Sequence, residues 1–426
     1  MTLREFPNIG EKLYTETLPN GLIINVLPKP GYTKTYAFFV TNYGGADRRF
    51  RLADQWIDTP AGVAHFLEHK MFDTPEGGNA LAVLSANGAS PNAYTSSGKT
   101  AYHFSCTRGF EENLETLLSF VTVPHFTDES VMKEQGIIGQ EIRMMEDNPG
   151  YVVYQNLLRC LYQHNPVRDS IAGTIESIAE ISAQTLYDCH KVFYNPSNMV
   201  LCVAGDVDAA KIADIAARIV PSEPGAMPER DYGAPEDDYP TNTLTSAQME
   251  VSAPLFIIGA RAVPKVGGVQ LLRQRLLSSL ALESLAGRSS SFYARLYADG
   301  LLNKTFGFEM DFTAGTAMAM FEGESAQPER ILKELSLEVK SVSANGLDSE
   351  YFSRQKKALY GNRLRGLNVF EAQCRSLADG AFSGYCPLES FELLEEITAD
   401  EASSFIADTL NDAKLAMSIV APNTQP

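Results

Sequence analysis

The strongest constraint on how this chain can fold is that it repeats itself. Ile181-Ser182-Ala183-Gln184 returns 216 residues later as Ile397-Thr398-Ala399-Asp400, and the same offset lays Asn195 on Asn411 and Met199–Ala204 over Leu415–Val420. An offset near half the chain length makes each half end in helix, short turn and apolar strand, so one unit is built twice. The 426 residues also exceed what one hydrophobic core holds, because single cores stop growing at roughly 250 to 300 residues. Between the copies, Pro221, Pro224, Gly225, Pro228, Gly233, Pro235 and Pro240 interrupt any regular element. The expected organisation is a first domain over 1–220, a linker over 221–245 and a related domain over 246–426.

Within the first half, Tyr14–Leu18 and Leu22–Val26 flank Pro19-Asn20-Gly21, a hairpin signal. Thr35–Asn42 and Thr100–Thr107 read as further strands, and the periodicity predicts helices over about 60–72 and 77–87, the second closed by Gly88. Strands and helices interleave without regular alternation, which predicts α+β layers.

Composition narrows the function classes. A formal charge of -18 repels phosphates and argues against nucleic-acid binding. The charged first residues carry no apolar signal core, and no run has the length of a membrane span, so a cytoplasmic protein away from membranes is expected. Cysteines 106, 160, 189, 202, 374 and 386 have no paired spacing and read as small buried hydrophobes in a reducing compartment.

One short run carries chemistry. Asp58-Thr59-Pro60 predicts a helix start with Thr59 as N-cap. At about 100° per residue, His65, Glu68 and His69 then share one face while Val63, Leu67 and Met71 share another. Two imidazoles four residues apart can grip one metal, and zinc suits imidazole and carboxylate donors while keeping a position for water. Glu68 is placed to take that water's proton. Chance alone produces H-x-x-E-H on the order of 0.01 times in such a chain.

A third ligand is sought in Glu129–Asp147, where Val131, Ile138, Ile142 and Met145 form an apolar stripe with Glu134 and Glu141 inside it. Carboxylates buried there need positive partners. Glu141 is assigned as the ligand and Glu134 as the acid that orients a histidine. One Zn2+ per chain is expected, held by His65, His69 and Glu141.

These residues resemble the pitrilysin family of inverted zincins, which carry H-x-x-E-H, a glutamate 72 residues after the second histidine and another seven before that. Gly62–Phe72, Asn92-Ala93-Tyr94-Thr95 and Gly136–Ile142 match the family's pattern, most closely that of its bacterial half-length members. The resemblance implies two related α+β domains, each a mainly antiparallel sheet with helices on one side, around a closed chamber. It implies a zinc endopeptidase whose peptide substrate joins a sheet edge as an added strand, here at Ser90–Thr95, with Asn92 and Ala93 as substrate contacts. A homodimer, or a heterodimer with a related subunit, is implied as well. The second half is catalytically empty, since His65, Glu68, His69 and Glu141 map onto Ala281, Ser284, Leu285 and Lys357. Active members also carry an arginine and a tyrosine seven residues apart in the second domain; Leu296 and Asn303 stand there, with Arg295 and Tyr297 alongside. The ligand set therefore favours a peptidase, while the missing pair favours a weakly active or non-hydrolytic chamber subunit that binds peptides or a sibling chain.

Overall fold

A computed structural model describes residues 1–75 and 77–423. Two compact units emerge, and the chain passes between them repeatedly: one holds 1–142, 170–232 and 364–387, the other 143–169, 233–363 and 388–426.

In the first unit, a seven-stranded sheet contains Thr2–Phe6, Glu11–Thr17, Ile23–Pro28, Met199–Gly205, Thr35–Thr41, Thr100–Cys106 and Ser90–Thr95, in that spatial order. Every pairing is antiparallel except Ile23–Pro28 with Met199–Gly205. The expected Pro19-Asn20-Gly21 turn closes a hairpin, with Leu18 N–H donating to Leu22 O at 2.9 Å. Ser90–Thr95 ends the sheet, and among the described residues no other strand pairs with its outer side.

The second unit repeats the last five positions. Leu244–Met249, Ala416–Pro422, Leu255–Ala262, Thr316–Glu324 and Gly307–Thr313 form a sheet in which the first pair is again parallel and the rest antiparallel. The edge pair Ala93 with Tyr102 returns as Met310 with Ala319, a shift of 217 residues. Ala183–Phe193 and Ala399–Thr409 are the repeated helices, each opened by a capping box, from Ser182 and Thr398. The two-domain α+β architecture read from the repeat is what the chain adopts.

What the repeat does not disclose is which helix covers which sheet. Helix Pro149–Leu161, from the first half of the sequence, packs on the second sheet, while Phe370–Ser383, from the last quarter, packs on the first. Both are apolar along one side, and periodicity carries no address for that side. Val153, Leu157, Leu158 and Leu161 join Ile257, Met318, Met320 and Val420 in one buried cluster. Gly259 admits this helix, because a Cβ there would lie 2.8 Å from Leu157 Cδ2. Emptying the Leu157 position to alanine costs roughly 2 to 5 kcal/mol.

Two helix starts differ from expectation. The predicted start at Thr59 moves to Val63: Thr59 instead donates its hydroxyl to Arg48 O at 2.9 Å, and Gly62 enters the helix at φ 95°, a conformation that suits glycine. The second predicted helix runs only Ala80–Ala86, capped by Asn79, whose side chain accepts from Leu81 N–H and Ala82 N–H. None of the six cysteines is joined in a disulfide, and five are buried.

Candidate metal centre

Helix Val63–Lys70 is fixed first by its apolar side, with Val63, Phe66 and Leu67 buried and Met71 buried just beyond its end. That anchorage turns His65, Glu68 and His69 to the opposite face. Across from it runs Asp128–Glu146, whose own anchors are Val131, Ile138 and Ile142. Seven residues are close to two helical turns, so Glu134 and Glu141 project on one side of that helix.

The sequence-derived ligands converge. One donor atom from each of His65, His69 and Glu141 lies within 4.8 Å of the other two. His65 Nε2 is 3.6 Å from Glu141 Oε1, and His69 Nε2 is 3.7 Å from Glu141 Oε2. In a tetrahedral site with bonds of roughly 2.0 to 2.2 Å, donors sit on the order of 3.3 Å apart. The donor set and its spacing therefore fit a zinc ion. It is the one His, Cys, Asp and Glu group of this kind among the described residues.

Glu134 meets the other nitrogen of the second histidine, with Oε1 3.0 Å from His69 Nδ1. That contact assigns the proton to Nδ1 and leaves the Nε2 lone pair facing Glu141. His65 has no such partner: its Nδ1 is buried without a hydrogen bond among the described residues. Burial, with the His69 charge, pushes His65 down to about 4, so it stays neutral and able to ligate at ordinary pH. For His69, burial opposes the charged form, yet the Glu134 hydrogen bond and the carboxylates of Glu68, Glu134 and Glu141 raise it overall. Burial works against the Glu134 carboxylate too, but His69, Lys70 and Lys133 hold it below the usual range.

Glu68 is almost fully buried, and burial raises its carboxyl above the ordinary value. Against that, Thr95 Oγ1 donates to Glu68 Oε2 at 2.6 Å and favours the ionised form. Thr95 lies at the end of the edge strand, and its hydroxyl is also 3.2 Å from that of Thr100, which in turn donates to Tyr43 O. The carboxylate is thus tied directly to the strand beside it. Sequence reasoning missed this role, although Thr95 stands two residues after Ala93 and so shares its face.

Asn92 and Ala93 both fall on the edge strand. Alternation places Ala93 with Thr95, toward Glu68, and Asn92 with Tyr94 on the opposite face. Tyr94 there lies beneath the Arg375 guanidinium, 4.7 Å from the ring centroid. The Asn92 side chain accepts from Ala93 N–H at 2.9 Å.

In the second unit the mapped positions hold no such chemistry. Ala281, Ser284 and Leu285 are buried in helix Gly268–Ala286, and Lys357 is exposed on Ser349–Gly366. Leu296 is fully buried; Arg295 forms ion pairs with Glu334 and, at 3.3 Å, with Glu338. Asn303 accepts from Thr305 N–H at 2.7 Å, and Tyr297 is exposed.

Comparison with known proteins finds relatives along nearly the whole chain. Residues 57–175 match the family described as Insulinase (Peptidase family M16), and 180–359 match the Peptidase M16 inactive domain. A zinc protease of Bacillus subtilis, YmfH, is 35% identical over 99% of both chains. The beta subunit of the human mitochondrial-processing peptidase is 30% identical over 38% of this chain and 35% of its own. Among solved structures, an M16-like peptidase from Alicyclobacillus acidocaldarius superposes with a TM-score of 0.93, 33% identical, covering 99% of this chain and all of the other.

Proposed function

This chain belongs to the insulinase family of peptidases, M16, and on that footing we propose that it is a zinc-dependent endopeptidase acting on extended peptides. The observation that carries the reading is the convergence of His65, His69 and Glu141 beside Glu68 on the same short helix.

His65, His69 and Glu141 would hold the ion, with Glu134 fixing the His69 ring. A zinc ion so held lowers the pKa of coordinated water toward about 7 and polarises a carbonyl oxygen. Glu68 accepts the proton of the attacking water and returns it to the leaving amine. Thr95 fixes the orientation of that carboxylate. The peptide adds as a strand along Ser90–Thr95, where main-chain hydrogen bonds accept many sequences and Ala93 faces the same side as Thr95.

The carbonyl-binding arginine and tyrosine are assigned to a second, related chain, because Leu296 is buried and Arg295 is engaged by two glutamates. The alternative is a chamber subunit without turnover, favoured by the same two facts. Cleavage of a mixed peptide library separates the readings. Wild type with its sibling subunit should release products that Glu68→Gln does not, and equal product from both would sink the peptidase assignment.

A further inference from the structure

Immediately after His69, at the end of the metal-bearing helix, stands a lysine that is among the most buried polar groups of its unit. Lys70 is 2% exposed. Its ammonium bonds to Asp73 Oδ2, donates to Ser130 O at 3.4 Å and lies 3.7 Å from Glu134 Oε2. The other oxygen of that glutamate is the one that meets His69 Nδ1 at 3.0 Å. Lys70, Glu134 and His69 therefore form one continuous chain ending at the nitrogen that faces Glu141.

A carboxylate with a side chain only 14% exposed needs a positive charge nearby. Lys70 supplies one, and its own place is fixed because Asp73 and a backbone carbonyl also hold its ammonium. We infer that Lys70 is a positioning residue for the metal site: it fixes Glu134, whose other oxygen orients the His69 ring so that Nε2 faces Glu141.

The inference rests on the zinc reading above, and zinc affinity tests both separately without requiring turnover or a partner subunit. The intact chain, freed of metal, is titrated with zinc against a chromophoric chelator. Wild type binding one zinc, with His65→Ala at least a hundredfold weaker, supports the ligand assignment; comparable binding by both overturns that assignment and this inference with it. Given that baseline, Lys70→Met should weaken zinc binding about tenfold, the lower end of what outer partners of a ligating histidine contribute. Lys70→Arg should restore most of it. In a Glu134→Gln background, Lys70→Met should cost nothing further, because the carboxylate that Lys70 holds is already gone. That last comparison keeps its meaning even if Lys70→Met alone does not fold, since the double variant removes both charges together. Unchanged affinity in a folded Lys70→Met, or additive losses in the double variant, would overturn the inference.

Discussion

Helices Val63–Lys70 and Gly268–Ala286 occupy related places in the two sheets, yet one carries the candidate metal-binding face and the other buries Ala281, Ser284 and Leu285 at the mapped positions. The first spans eight residues, is entered through a left-handed glycine and turns two histidines and a glutamate to one side. The second spans nineteen and buries Leu276, Leu280, Ala281, Leu282 and Leu285. Since the five shared strand positions keep the same order and pairing in both sheets, the frame does not require the metal chemistry. Chemistry here is a few side chains set into a fold that stands without them.

If that separation holds, the largest effects come from the first helix and leave the frame alone. Glu68→Gln should lower peptide cleavage by about a thousandfold, within the range for a general base, with an unchanged melting temperature and zinc content. A variant that also loses zinc would mean that Glu68 belongs to the ligand shell. Next, Glu141→Ala should weaken zinc binding by about a hundredfold or more while circular dichroism stays that of wild type; loss of the folded signal would tie frame and metal together.

The frame has its own point of weakness. Glu236, in the stretch expected as a linker, accepts from the consecutive N–H groups of Gln163, His164 and Asn165, each at 2.7 Å, and lies 3.7 Å from Arg261. Glu236→Gln should cost about 1 to 3 kcal/mol of stability with zinc affinity untouched. Burial works against its charge, but the three N–H groups and Arg261 outweigh it and hold the carboxyl below 4.5. A lowered folded-state value adds stability that is complete above the unfolded-state value and is lost as pH falls through the lowered one. The melting difference between wild type and Glu236→Gln should therefore shrink as the pH drops below about 4.5, the ordinary glutamate value. A constant difference across that window would remove the carboxylate as its source.

A smaller effect is expected at the edge strand. Thr95→Val, which keeps shape and loses the hydroxyl, should slow cleavage about tenfold, and Thr95→Ser should recover most of it. Smallest of all, Lys357→Ala, at the counterpart of Glu141, should leave zinc content and cleavage as in wild type; a measurable loss would show that the second helix pair contributes after all.

The site was legible to an unusual depth because its spacing is local. His65, Glu68 and His69 share a face through helical geometry alone, and Glu134 and Glu141 repeat that logic on a second helix. The buried stripe on that second helix is what assigned Glu141 and Glu134 to the histidines, and the family resemblance came to the same pairing. Thr95 and Lys70 were not legible in the same way. A threonine at the end of a strand and a lysine at the end of a helix are ordinary in sequence, and only their distances to Glu68 and Glu134 give them work. The helix start at Thr59 was misread for a related reason. Its hydroxyl is claimed by Arg48 O, a contact that Asp58-Thr59-Pro60 cannot announce.

By itself, then, the sequence determined the duplication, the α+β class, the two helical faces and the emptiness of the second copy, since each follows from short-range periodicity or from comparing the chain with itself. Tertiary structure alone decided that Pro149–Leu161 and Phe370–Ser383 cover sheets from the opposite halves of the chain, and that a buried lysine stands beside the candidate metal centre. The physical reason is common to both. An apolar face specifies that it must be covered and a buried charge that it must be compensated, but neither specifies by which distant residue, and that choice belongs to packing.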